Sequence, residues 1–159
     1  RFNNYEGGKE TGKNSIFIRN EKDFLLNKHD REQMVANEIG NFINYFSKDR
    51  KIHVITSIPE VGLEVPTTVA RSIRFNKSNL LNEYTTSYDV YLKRQRIINQ
   101  TFKKLEIENK ISLFESSKVF CDMSASRCKY TIDRNPLYFD DDHLNKLGTD
   151  ILIASFFKD

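Results

Sequence analysis

Apolar residues recur every three or four positions in three stretches of the chain, which is the spacing of an amphipathic helix. The first stretch begins after Asp30, a residue type that favours a helix N-cap, and the basic residues Lys48 and Lys51 follow its carboxyl end. The second covers residues 84–109 and the third covers residues 141–157. Their apolar faces are Met34, Val35, Ile39, Phe42, Ile43 and Phe46; Tyr88, Tyr91, Leu92, Ile97, Ile98, Phe102 and Leu105; and Leu144, Leu147, Ile151, Leu152 and Phe156. The pattern therefore predicts three helices.

Short runs of β-branched and aromatic residues between these helices predict strands. The runs are residues 16–18, 51–58 and 117–121, with a hairpin-like excursion at residues 129–139. Pro59 and Gly62 end the clearest run, and residues 62–82 are predicted to be irregular with one helical turn. Because strands alternate with helices, the sequence predicts an α/β fold with three layers and a mostly parallel sheet.

Length, charge and hydropathy narrow the classes of function. A chain of 159 residues suits a single domain, so we expect residues 1–159 to form one. The net charge of +3 is spread along the sequence without a Lys/Arg block, which argues against nucleic-acid binding. No apolar run reaches the ~18–20 residues that cross a bilayer, and no signal peptide is present. Since the chain begins at Arg1, we expect any anchor or export signal to lie outside it.

The two cysteines, Cys121 and Cys128, are separated by six residues. A loop of this length can close a disulfide worth about 2 kcal/mol, although two reduced structural thiols also fit the spacing. No further ligands of suitable spacing flank the pair, so we predict no metal site here. A disulfide would place the domain outside the cytoplasm.

The segment Asp140-Asp141-Asp142-His143 carries the clearest chemistry. If it opens the third helix, Asp140 and His143 share one side of the first turn. Asp140 can then hold the Nδ1 proton and leave Nε2 free to accept a proton from a hydroxyl. Three aspartates before a helix are also ordinary capping residues, each worth about 0.3–1 kcal/mol. A calcium loop is disfavoured because its glycine and distal glutamate are missing.

The surroundings of this segment match a known pattern. A short loop between two cysteines precedes Leu137-Tyr138-Phe139-Asp140, then His143-Leu144 and, after a further gap, Gly148 at the closing helix. The chain here resembles the SGNH-type domain fused to membrane acyltransferases of family 3, which O-acylate bacterial surface polysaccharides. Residues 57–62 resemble that family's strand-to-loop segment, and residues 1–8 resemble its Arg-Trp-x-x-Tyr-x-Glu-Gly block.

The resemblance implies a Ser-His-Asp acyl-enzyme mechanism in which His143 is the base and Asp140 orients it. It also implies that Arg1 contacts substrate and that no cofactor is required. The family's serine lies in a Gly-Asp-Ser block, which this sequence lacks, so we expect an SGNH-like fold that is incomplete on its N-terminal side and inactive alone. Ser57 ends a strand but has no flanking glycines of a nucleophile elbow, and we expect His29 and His53 to be structural.

The resulting expectation is the C-terminal, extracytoplasmic part of a membrane-anchored O-acyltransferase, most simply an O-acetyltransferase. Its partners would be an upstream membrane acyltransferase domain of the same protein and a polysaccharide acceptor. Two alternatives stay open at the level of sequence. One is a carbohydrate esterase that uses the same residues, and the other is a non-catalytic domain that binds glycan or positions a partner enzyme.

Overall fold

The structure is a computed structural model that describes residues 27–76 and 86–158. Helices and strands alternate along this part of the chain, in agreement with the predicted α/β class. The elements are α1 (Lys28–Phe46), β1 (His53–Ile55), α2 (Val65–Arg74), β2 (Thr86–Ser87), α3 (Tyr88–Ile107), β3 (Ser112–Phe114), α4 (Ser117–Phe120), β4 (Cys121–Asp122), β5 (Arg127–Cys128), β6 (Thr131–Ile132), β7 (Asn135–Pro136) and α5 (Lys146–Phe156). The predicted strand at residues 16–18 lies outside the described residues.

The strands form three small sheets. β1 and β3 pair in parallel, with His53 opposite Ser112 and Ile55 opposite Phe114. β2, β5 and β4 form an antiparallel sheet, and β6 and β7 form the hairpin predicted within residues 129–139. Since the described residues contain one parallel pair and otherwise antiparallel pairs, the three-layer arrangement with a mostly parallel sheet stays a prediction.

The long helices begin at polar side chains that bind their free N–H groups. Asn27, rather than the predicted Asp30, is the N-cap of α1, and its side-chain oxygen accepts from the Asp30 N–H at 2.9 Å. Asp30 in turn accepts from the Asn27 amide at 2.7 Å, so the two side chains brace each other. Ser87 caps α3 by accepting from the Val90 N–H at 3.4 Å. Among the described residues, no helix is both long enough and apolar enough to cross a membrane.

The predicted strand at residues 117–121 is wrong over most of its length. Residues Ser117–Phe120 form the short helix α4, and the strand that pairs with β1 lies earlier, at Ser112–Phe114. An apolar run this short fits either a strand or a buried helical turn. The helical turn buries Phe120, which is 2% exposed, in the core. The single helical turn predicted within residues 62–82 is also longer than expected, because the helix α2 extends over ten residues, Val65–Arg74.

The larger hydrophobic core lies under the segment that carries Asp140 and His143. It contains Val61, Val65, Val69, Phe114, Phe120, Tyr130, Leu137, Tyr138 and Leu152. Leu137 and Tyr138 are completely buried and immediately precede that segment. A second cluster of Ile43, Leu105 and Ile111 packs α1 against α3. The segment that carries Asp140 and His143 thus directly follows residues of the larger core cluster of the described chain.

Candidate functional site

The segment from Phe139 to Leu144 is a tight turn and does not belong to a helix. The Phe139 N–H donates to the His143 carbonyl at 2.8 Å, and Tyr138 and Leu144 form an antiparallel bridge. Inside the turn, Asp140 Oδ1 accepts from the N–H groups of Asp142 at 2.9 Å and His143 at 2.7 Å. The expectation that this segment opens the last helix is therefore wrong, because Asp140 caps its own turn.

The last helix, α5, starts at Lys146 because Asn145 supplies its cap. The Asn145 side-chain oxygen accepts from the Gly148 N–H at 3.0 Å, and its side-chain amide donates to the Pro136 carbonyl at 2.7 Å. Its own N–H donates to the Leu137 carbonyl at 3.0 Å. Helix α5 approaches the chain so closely that a Cβ added at Gly148 would lie 2.3 Å from that carbonyl oxygen. Asn145 and Gly148 therefore fix the distance between α5 and the turn.

The imidazole of His143 contacts two carboxylates through a single nitrogen. Nδ1 lies 2.8 Å from Asp140 Oδ2 and 2.9 Å from Asp142 Oδ1. The side chains of Asp140 and Asp142 are 28% and 15% exposed, whereas that of His143 is 72% exposed. A proton on Nδ1 can be donated to either carboxylate, and the neutral ring then offers an unprotonated Nε2. Asp140 and His143 are therefore in contact, as an orienting carboxylate and its base would have to be, and their catalytic roles stay a prediction.

Asp142 is a partner of His143 that the sequence did not indicate. The side chains of adjacent residues commonly point in different directions. Here the turn closed by Asp140 Oδ1 brings the Asp142 carboxylate toward the His143 imidazole. The ligand atoms of Asp140, Asp142 and His143 all lie within 4.8 Å of one another, so the three could also share a cation. That use would occupy Nδ1 as a ligand and would compete with its role as a hydrogen-bond donor.

Residues 57–61, which follow β1 and are called the support loop below, hold the backbone of the turn. The Val61 N–H donates to the Asp141 carbonyl at 2.8 Å, and the Val65 N–H donates to the Asp140 carbonyl at 3.4 Å. Tyr138 adds a side-chain connection, because its hydroxyl donates to the Pro59 carbonyl at 2.7 Å. Three hydrogen bonds thus connect the turn to this loop and to the start of α2.

The support loop is itself held by hydroxyl groups from other elements. The Ser57 carbonyl accepts from Tyr91 at 2.8 Å and from Ser116 at 2.7 Å, and the Glu60 carbonyl accepts from Thr86 at 2.7 Å. The Glu60 carboxylate forms an ion pair with Arg94 of α3, and their side chains are 17% and 12% exposed. This ion pair is mostly buried and joins residues 34 positions apart, so no local sequence pattern indicates it.

The remaining sequence candidates lie apart from the His143 turn. Ser57 is exposed at the end of β1, and within the described chain no hydrogen bond joins its hydroxyl to His143. His53 lies in β1 with its ring 5.9 Å from that of Phe156, edge to face, and His29 is an exposed residue of α1. These placements agree with structural histidines. Arg1, the candidate substrate contact, lies outside the described residues.

Cys121 and Cys128 form a disulfide between the paired strands β4 and β5. The two residues are opposite each other in the antiparallel register, and Cys128 is also paired with Thr86 of β2. The bond therefore cross-links β4 to β5, the strand that pairs with β2 before α3. Of the alternatives that the sequence left open, the structure contains the disulfide.

Comparison with known proteins gives one match. A family model described as an SGNH domain fused to AT3 domains matches residues 1–158, nearly the whole chain. Neither the curated proteins nor the solved structures include a match.

Proposed function

The chain belongs to the family of SGNH domains that are fused to AT3 (acyltransferase 3) domains, and from this membership we propose that His143 is the catalytic base of an O-acyltransferase. SGNH domains are hydrolase- or esterase-like, and the fusion implies a membrane acyltransferase domain in the same protein. The observation that carries the proposal is the 2.8 Å contact between His143 Nδ1 and Asp140 Oδ2, in which the His143 side chain remains exposed.

In the proposed reaction, Nε2 of His143 takes the proton from a serine hydroxyl as the serine oxygen attacks the acyl carbonyl of the donor. The protonated imidazole then gives this proton to the leaving group, and the acyl group stays on the serine as an ester. In the second half, Nε2 takes a proton from a sugar hydroxyl, whose oxygen attacks the ester. The serine leaves with the proton from His143, and the acylated sugar is released.

Asp140 and Asp142 support both halves by accepting the Nδ1 proton and holding the ring in one tautomer. We propose that the serine belongs to a part of the protein outside these residues. We further propose that the acyl group is acetyl, that the acceptor is a bacterial surface polysaccharide, and that residues 1–159 are one SGNH-like domain on the extracytoplasmic side. Completion of the sheet by the rest of the protein would give the three-layer fold.

The test is the substitution His143→Ala in the full-length protein, expressed in cells that lack their own copy. We expect ester-linked acyl groups to disappear from the purified polysaccharide, because the substitution removes Nε2, the proposed acceptor of the hydroxyl proton. Asp140→Asn should lower acylation as well, but by less than the roughly 10⁴-fold loss caused by removal of a triad's single orienting carboxylate, because Asp142 can still accept from Nδ1.

His29→Ala is the matched control, because His29 is an exposed histidine of α1 away from the turn. It should leave acylation unchanged. The free energy of unfolding of His143→Ala should lie within about 0.5 kcal/mol of the parent value, as expected for an exposed side chain. A polysaccharide that keeps its acyl content in the His143→Ala strain would contradict the assignment. If purified protein releases free acid and never acylates the polysaccharide, the domain is an esterase.

A further inference from the structure

A cleft of about 210 Å³ lies along α3, at the carboxyl ends of the two parallel strands. Thr56, the first residue after β1, and Glu115, the first residue after β3, contribute to its wall. Ligands of α/β proteins bind at the carboxyl ends of parallel strands, because the loops there diverge and leave a crevice. The position of the cleft is therefore that of a binding site.

The side chains that line the cleft have the chemistry of a sugar-binding surface. The rings of Tyr88 and Tyr91 are stacked with centroids 6.2 Å apart, and Asn99 and Gln100 follow on α3 with amide groups that both donate and accept. Aromatic rings pack against the C–H faces of a sugar, and amides bind its hydroxyls, which are also donors and acceptors.

The charges in the cleft also favour a ligand rich in hydroxyl groups. Glu115 forms ion pairs with Lys103 at 3.1 Å and with Lys118 at 2.8 Å, so its carboxylate is neutralised at the wall of the cleft. A further cation, Arg96, lines the cleft and can bind sugar hydroxyls or an acidic substituent. The volume is below the ~300–1,000 Å³ of sites for drug-sized ligands, which suits one sugar residue better than a whole repeating unit.

Tyr91 connects this cleft to the His143 turn. Its ring lines the cleft, and its hydroxyl donates to the Ser57 carbonyl at 2.8 Å, at the start of the support loop. The same loop binds the turn through the Val61 N–H and the Pro59 carbonyl. The support loop therefore contacts both Tyr91 of the cleft and the turn that carries the proposed base.

We propose that this cleft binds a sugar residue of the acceptor polysaccharide and so positions a neighbouring hydroxyl for acylation. This inference rests on the proposed function, because it assumes that the acceptor is a polysaccharide. Asn99 and Gln100 bind sugar hydroxyls, and Tyr88 supports a face of the ring.

The experiment uses the full-length protein in detergent and fragments of de-O-acylated surface polysaccharide from the source strain. Binding of labelled fragments gives Kd, and acyl transfer in membrane vesicles gives KM and kcat for the fragments. The double variant Asn99→Ala, Gln100→Ala should raise Kd and KM about tenfold, since two hydrogen bonds to the ligand are lost. Its kcat should stay near that of the parent. Gln33→Ala, at an exposed residue of α1, is the matched control and should change neither value.

Binding and KM equal to those of the parent in the double variant would overturn the proposal, and so would a fall in kcat with unchanged Kd. If the double variant binds the fragments normally but its SGNH domain no longer packs against the AT3 domain of the same protein, the cleft is a protein contact. That result would also overturn the sugar-binding proposal. His143→Ala separates this inference from the proposed function, because it should bind the fragments normally while losing transfer. If His143→Ala transfers acyl groups normally, the proposed function fails, and the Kd of the double variant still tests the cleft.

Discussion

At the scale of single residues, Tyr138 joins the candidate site to the core. Its ring is fully buried, and its hydroxyl donates to the Pro59 carbonyl of the support loop at 2.7 Å. Burial raises the pKa of this phenol above its ordinary value, and the nearby Tyr91 and Glu60 act in the same direction. The hydroxyl is therefore protonated at neutral pH and can donate its hydrogen bond to Pro59.

Tyr138→Phe should lower the free energy of unfolding by about 1–3 kcal/mol, because the Pro59 carbonyl is left without its donor in a buried place. Urea unfolding followed by circular dichroism measures the change. Tyr45→Phe is the control, since Tyr45 is 68% exposed on α1, and it should change stability by less than about 0.5 kcal/mol. Equal midpoints for the two variants would show that the hydrogen bond contributes nothing.

The residues of the candidate site were predictable from sequence to different degrees. Asp140 and His143 were found because they lie three positions apart, and their contact needs only a local turn. The hydrogen bond from Tyr138 joins residues 79 positions apart, and the Glu60–Arg94 ion pair joins residues 34 apart. Such long-range pairs depend on how the elements pack, which the spacing of residues along one chain does not specify.

At the scale of elements, α5 and the turn before it are joined by a close backbone approach at Gly148. Gly148→Ala should lower the free energy of unfolding by about 1–3 kcal/mol, because the new methyl group would overlap the Leu137 carbonyl and force α5 away. Acyl transfer should fall as well, since the same shift moves the segment that carries His143. Thermal unfolding and the acyl content of the polysaccharide measure the two effects.

The matched control for Gly148→Ala is Gly40→Ala in α1. A Cβ at Gly40 meets nothing within 4 Å, and alanine loses less chain entropy than glycine on entering a helix. This variant should therefore be more stable than the parent by about 0.4–1 kcal/mol. The two substitutions should therefore change the free energy of unfolding in opposite directions. Destabilisation by both would contradict the close backbone approach as the cause of the effect at Gly148.

Helices were predicted better than strands because their pattern extends over more residues. The periodicity of the second predicted helix, residues 84–109, identified α3 at Tyr88–Ile107. The run at residues 117–121 has only five positions, and its apolar side chains enter the core from a helical turn instead. The start of α5 was missed because three aspartates resemble a cap, whereas Asn145 provides the cap.

At the scale of the whole molecule, the disulfide is a covalent cross-link within the antiparallel sheet of β2, β5 and β4. It joins β4 to β5, and β5 pairs with β2, the strand that leads into α3 and the cleft. We expect mass analysis of the non-reduced, exported protein to find no free thiol. Reduction should lower the free energy of unfolding by about 2 kcal/mol, the value for so short a loop.

A Cys121→Ser, Cys128→Ser double variant is the control for this prediction. Its unfolding midpoint should match that of the reduced parent and should not respond to a reductant. Two alkylatable thiols in the exported protein would contradict the disulfide.

The arrangement of the sheets is the part of the whole molecule that the sequence specified least. Alternating strands and helices predicted the α/β class and a parallel sheet, but the strand that pairs in parallel with β1 was expected at residues 117–121 and lies at Ser112–Phe114. β2 pairs with β5 about 40 residues later, and nothing in a two-residue strand marks its partner. Periodicity identifies an element and its buried face, but pairing over such distances depends on the packing of the complete domain.

The turn from Phe139 to His143 closes within five residues, by hydrogen bonds that it makes to itself. The contact between the imidazole and its carboxylates is therefore set within the turn itself. If the support loop shifts relative to the part of the protein that we propose to supply the serine, His143, Asp140 and Asp142 move together. Such a shift would change the distance from the proposed base to the serine and leave the alignment of the imidazole unchanged.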